Sequence, residues 1–278
     1  DEEMLLDLRL NIMDKYIDKF VITEATYMHS GRPKKLLFDI NKFSKFKDKI
    51  IYNVVDKQPS NIVSVNENDD YDTKGEKLIN NSSKREHYQR EMAQKSLNEA
   101  EPDDLILIND VDEIPNLKDV NLKKIKEKLI IFKQKIFFYK FNLLYERMSW
   151  HGSRACRKKD FISPQWLRDL KFKKRPFWRL DKLQLNNIIE NGGWHFCNLK
   201  NAEQLLYKYK NLCETNDPYN FKEKIDEKYL KLDEIKKRIS RGEDIIGRNE
   251  IYKAKKLDSS FPKYILDNIS AYKEWIVD

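Results

Sequence analysis

Asp110 and Asp112 flank Val111 just past a short apolar run, residues 104–108, and Glu113 follows directly. In extended chain, residues i and i+2 project to one side, so the two aspartates present their carboxylates together. Hard divalent ions prefer carboxylate oxygen, and magnesium or manganese is commonly held by one or two carboxylates plus the phosphates of a substrate. The expected chemistry is Lewis-acid support of a departing diphosphate, with Mn2+ or Mg2+ on Asp110 and Asp112. Acidic turns after strands are common on structural grounds alone. The pair gains weight from its place between DLILI and Ile114-Pro115.

Three further segments carry groups suited to the same chemistry. Projected at about 100° per residue, the helix before the acidic motif puts Tyr88, Met92, Ala93, Leu97 and Ala100 on one apolar arc. Arg85 and Gln89 fall inside that arc and Arg90 lies at its edge. A guanidinium on an apolar face needs a partner, and its fork suits a phosphate or a carboxylate. Arg85 could bind a phosphate-bearing donor or brace the aspartates, or instead snorkel or pair with a core carboxylate, and Gln89 and Arg90 beside it join the donor-binding candidates. Glu24 ends an apolar run where a carboxylate can accept hydrogen bonds from a ribose or a base, or simply face solvent. In Gly192-Gly193-Trp194-His195-Phe196 the glycines let backbone approach a phosphate, Trp194 offers a stacking face, and His195 offers a donor or a third metal ligand. A lone buried histidine is more often structural.

These residues need a frame. Residues 2–18 read as a helix from Met4, Leu5, Leu8, Ile12 and Tyr16, and residues 19–27 and 49–56 as strands. A polar loop spans 57–81, and a Ser83/Glu86 capping pattern opens a helix running to about 100. Residues 104–108 read as a strand buried on both faces, and 135–148 as a strand or hairpin arm. Beyond 200 the pattern is mainly helical and lysine-rich. The expected class is α/β: one domain over 1–278, built on a mostly parallel Rossmann-type sheet flanked by helices. Strands 19–27, 49–56 and 104–108 should be parallel neighbours, with the acidic motif at their carboxyl rim. A helix feeding directly into a strand also implies one more strand upstream of Asp1.

Composition narrows function less. The chain has 54 basic and 46 acidic residues, a net +8, which gives a weak preference for anionic partners. Cys156, Cys197 and Cys213 show no CxxC spacing, which points away from a disulfide framework or zinc knuckle and toward a reducing, cytoplasmic compartment. No apolar run approaches the roughly 18 residues needed to cross a bilayer. The chain reads as soluble, and an anchor outside it stays open.

With these motifs in place, the sequence resembles glycosyltransferase family 17, the bisecting β-1,4-N-acetylglucosaminyltransferase family. The carriers are LLDLRLNIMDKYIDKFVITEATYMHSGRPKKLLF, KREHYQR, DDLILINDVDEIP, ENGGWHF and FPKYILDN, of which NDVDEIP and GGWHF are the specific ones. The resemblance implies a GT-A fold and an inverting transfer of N-acetylglucosamine from UDP-GlcNAc to a glycan hydroxyl. It also implies a divalent ion on Asp110 and Asp112, with Glu113, Glu24, Arg85, Trp194 and His195 at matching positions. Inversion requires a general base, for which Asp169, Glu190 and Glu214 are the downstream carboxylates considered. A metal-dependent nuclease or nucleotidyltransferase, or a nucleic-acid-binding module, are the alternatives. The first lacks a second acidic cluster in sequence, and interspersed acids weaken the second.

Overall fold

The computed structural model of the protein describes residues 2–118, 120–170, 186–211 and 226–277. Its first elements are helix α1, Glu3–Met13, and strands β1, Phe20–Ala25, and β2, Ile50–Val55. The two strands pair in parallel, Phe20 against Ile50 through Ala25 against Val55, as the alternation of helices and strands predicts. The third expected neighbour departs from this arrangement. Strand β3, Leu105–Ile108, pairs antiparallel with β8, Arg154–Arg157, placing Ile106 opposite Cys156. Only Ile106 of β3 is buried, so the expected burial on both faces is partial, and a continuous apolar run carries no information on the direction of its partner.

The mostly parallel sheet is therefore corrected to a mixed one. Among the described residues three strand pairs are parallel and five antiparallel. Strand β5, Leu129–Phe132, lies between β8 and β9, Asn186–Ile189. Residues 135–148, expected as one strand or one hairpin arm, instead span both arms of a hairpin, β6, Gln134–Phe138, and β7, Leu143–Trp150. Strand β10, Gly193–Cys197, runs parallel to β6 and antiparallel to β4, Glu113–Pro115.

Helix α2 spans Tyr71–Met92, twelve residues longer at its start than the Ser83 capping pattern indicates. The Asp70 carboxylate caps it by accepting the Thr73 amide at 2.7 Å. Glu86 is left mid-helix, paired with Arg90. The early turns escape detection because their only buried residues are Gly75, Asn81 and Arg85, which make no apolar stripe. Asn81 instead ties the helix to the preceding loop, accepting from the Val63 amide and donating to its carbonyl.

After β10 the described chain holds helices Ala202–Asn211, Leu232–Ser240 and Lys263–Asp267, and a short strand, Lys253–Ala254, beside β7. The main core joins α1 through Leu5, Leu8 and Met13 to Phe132, Phe137, Phe141, Trp194 and Phe196. No helix among the described residues is long and apolar enough to cross a membrane.

Candidate active site

The two most specific sequence motifs meet along one ladder. The turn Asn109–Asp112 leaves β3 and enters β4, which pairs with β10 so that Glu113 faces His195 and Pro115 faces Gly193. The Phe196 amide donates to the Asp112 carbonyl at 2.9 Å and extends the contact. Gly193 makes this approach possible. It adopts φ +120°, and a Cβ there would sit 2.2 Å from the Ile114 carbonyl oxygen.

His195 and Cys197 stand two residues apart on β10 and so share a face. Asp112 closes the group from the turn: His195 Nε2 lies 3.4 Å from Asp112 Oδ2 and 3.2 Å from Cys197 Sγ. One ligand atom from each of the three falls within 4.8 Å of the others. Trp150 packs on the imidazole at 4.8 Å between ring centroids. Burial first, then the Asp112 carboxylate, push the Cys197 thiol well above the usual thiol range. The set provides oxygen, nitrogen and sulfur ligands at one point, and its chemistry fits a divalent ion.

Asp110 faces a different set of partners. Its carboxylate accepts from Arg168 at 2.5 Å and from Arg90 at 3.3 Å, and its carbonyl accepts from Arg9 at 2.6 Å. Its side chain is 42% exposed, so it lines the rim of the site. Glu113, expected as a catalytic neighbour, is fully buried and takes hydrogen bonds from Trp150, Ser153, the Asp110 amide and both terminal nitrogens of Arg168. With both oxygens satisfied inside the protein, Glu113 anchors the turn and has no face for a substrate. Burial works against the Arg168 charge, but the hydrogen bonds and charges of Glu113 and the charge of Asp110 raise its pKa above the ordinary range. Arg9 is pushed down by burial to about 10, against the pull of Glu113 and Asp110.

The remaining candidates lie around this group or away from it. Arg85 is buried but binds neither aspartate. Its Nε donates to Gln58 at 2.8 Å and its Nη1 to the His29 carbonyl at 3.0 Å, bracing the loop after β1. Gln89 donates to the Thr23 carbonyl and fastens α2 to β1. Glu24 accepts from Lys34, the Leu37 and Phe38 amides and Tyr52. Burial alone would raise its carboxyl, and these donors together hold it below the ordinary glutamate range. Trp194 is a core residue, 7% exposed, donating its indole N–H to the Ser260 carbonyl; its stacking face is consumed by packing. Asp169 is exposed and accepts from Gln165, while Glu190 pairs with Lys133 at the surface. Glu214 lies outside the described residues.

Sequence reading missed Arg9, Trp150, Arg168 and Cys197. Arg9 had a signal, since it shares the buried face of α1 with Leu5 and Leu8. Cys197 had one in its spacing from His195, readable only once the segment is known to be a strand. Arg168 and Trp150 reach the site through tertiary packing alone.

Comparison with curated proteins and with solved structures gave no match. A family model, glycosyltransferase family 17, matches residues 1–273, nearly the whole chain. The chain therefore belongs to glycosyltransferase family 17.

Proposed function

We propose that this glycosyltransferase takes N-acetylglucosamine from UDP-GlcNAc and transfers it with inversion to a glycan hydroxyl, on a GT-A-like framework, with Mn2+ or Mg2+ held at Asp112 and His195. Transferase activity, a sugar donor and a glycan acceptor follow from the family. The finer reading rests on one observation: the β4–β10 ladder brings Asp112 of the acidic turn against His195 of the GGWHF segment. When bound, a divalent ion there offsets the charge that develops on a leaving diphosphate. Arg90 and Arg168, beside Asp110, add fixed positive charge at the rim where phosphates would lie. The parallel β1–β2 pair under α2 supports the GT-A-like framework, with Glu24 and Arg85 shaping the loops on its donor side. For the general base we favour Asp169, because it is exposed and follows Arg168 on helix α3, Pro164–Asp169. Nothing in the family match favours the nuclease or nucleic-acid-binding alternatives.

The test is hydrolysis and transfer assayed across UDP- and GDP-sugars with Mn2+, Mg2+ or chelator, reading the anomeric configuration of the product by NMR. The reading expects preference for UDP-GlcNAc, loss of turnover in chelator, and an inverted product. Equal turnover in chelator, or a retained configuration, contradicts it.

A further inference from the structure

Cys197 completes the Asp112–His195–Cys197 group, in which Asp112 and His195 hold the ion in the proposed function. An ion shared by three ligand atoms holds them roughly 3–3.6 Å apart, the lower end for octahedral coordination and the upper for tetrahedral coordination with a sulfur ligand. The observed separations, 3.4 Å from His195 Nε2 to Asp112 and 3.2 Å from His195 Nε2 to Cys197, fall in that range; the Cys197 sulfur also lies 3.4 Å from His195 Nδ1, so it sits beside the ring and turns toward the Nε2 side to share an ion with it. The acidic motif's other aspartate fits poorly. Asp110 already faces the guanidinium groups of Arg168 and Arg90, whose positive charge repels a second cation at the same oxygens.

We propose that Cys197 is a direct ligand of the ion, completing a carboxylate–imidazole–thiolate set with Asp112 and His195 from which Asp110 is excluded. This assignment rests on the metal-dependent reading above and refines it. On binding, the sulfur forms the bond to the ion and the thiol proton leaves to solvent. Thiolate sulfur discriminates among cations: it contributes little to Mg2+, which prefers oxygen, and much to softer ions. The site therefore ranks Mn2+ above Mg2+, and Co2+, Zn2+ and Cd2+ above both. Trp150, stacked on His195, and the burial of the imidazole hold the ring beside Asp112 before the ion arrives.

Co2+ is the probe. The chain, stripped of metal with chelator, is titrated with Co2+ and followed for the near-ultraviolet charge-transfer band that only a cobalt–thiolate bond produces. Calorimetry then compares Mn2+ and Mg2+ affinities. Wild type should show the band. Cys197→Ser and Cys197→Ala should lose it and bind Mn2+ at least about tenfold more weakly, while Mg2+ affinity changes little. Asp110→Asn should keep the band. Circular dichroism and urea unfolding of each variant check that the fold is retained, and the wild-type spectrum stands even if a variant fails to fold. If Co2+ binds without the band and wild type and Cys197→Ser bind Mn2+ equally, Cys197 is no ligand and the inference falls, leaving metal dependence intact. If wild type binds none of these ions, alone or with UDP, the metal reading itself falls.

Discussion

Arg168→Met is the perturbation that most exposes how the acidic turn is held. The side chain keeps its approximate length and loses its charge and its donors. In the folded protein Arg168 gives Glu113 two contacts, at 2.8 and 2.6 Å, and Asp110 one, at 2.5 Å. Glu113 is 0% exposed and the Arg168 side chain only 12%, so solvent cannot replace the lost cation. The Trp150, Ser153 and Asp110-amide donors would remain, but a buried carboxylate would have lost its paired positive charge. Removing one partner of a buried pair costs about 3–5 kcal/mol, far above the 0–1 kcal/mol of an exposed pair. Urea unfolding followed by tryptophan fluorescence should register that loss as a lowered midpoint. A second substitution, Glu113→Gln, removes the stranded charge and should restore part of the stability, giving a coupling energy of about 2 kcal/mol or more. A cost below about 1 kcal/mol for Arg168→Met, with no coupling, would refute the view that this pair anchors the site.

Other predictions concern the loops and the ladder. The Glu24 carboxyl is held below its ordinary value, so its contribution is present above about pH 4.5 and lost as pH falls through the lower folded value. Glu24→Gln should cost about 1–3 kcal/mol at pH 7, and the gap to wild type should narrow as pH falls below the ordinary glutamate range; a gap independent of pH would contradict this. Gly193→Ala drives a Cβ into the Ile114 carbonyl and should destabilise by several kcal/mol or abolish soluble expression, whereas a normal melting curve would show that the β4–β10 approach is looser than described. Arg85→Lys keeps the charge but cannot bridge Gln58 and the His29 carbonyl together, so UDP affinity should fall severalfold by calorimetry; unchanged affinity would restrict Arg85 to packing.

Much of this arrangement is legible in the residues. Apolar runs located β1, β2 and β3, and the acidic spacing together with GGWHF marked the two segments that meet. Pairing direction was not legible, because LILI fits a strand buried on both faces whatever lies beside it. The sequence pattern understates helix α2 because its first turns bury Gly75 and Asn81 in place of an apolar stripe. Trp194 shows the limit on side-chain roles: indole can stack on a ligand or fill a core, and only Ser260 and the surrounding phenylalanines decide. Glu113 shows the same for carboxylates. Its partner Arg168 lies 55 positions away, so local sequence could not distinguish a catalytic acid from a buried anchor.

The central claim is that UDP is bound through an ion held at Asp112. Calorimetric UDP affinity for wild type and Asp112→Asn, each measured with Mn2+ and with chelator, tests it most directly. The amide keeps the size of the carboxylate but binds a hard cation less tightly. Wild type should bind UDP at least about tenfold more tightly with Mn2+ than with chelator, and Asp112→Asn should bind weakly and equally in both. Wild-type affinity that is indifferent to Mn2+, or an Asp112→Asn variant that keeps the full Mn2+ enhancement, would contradict the account.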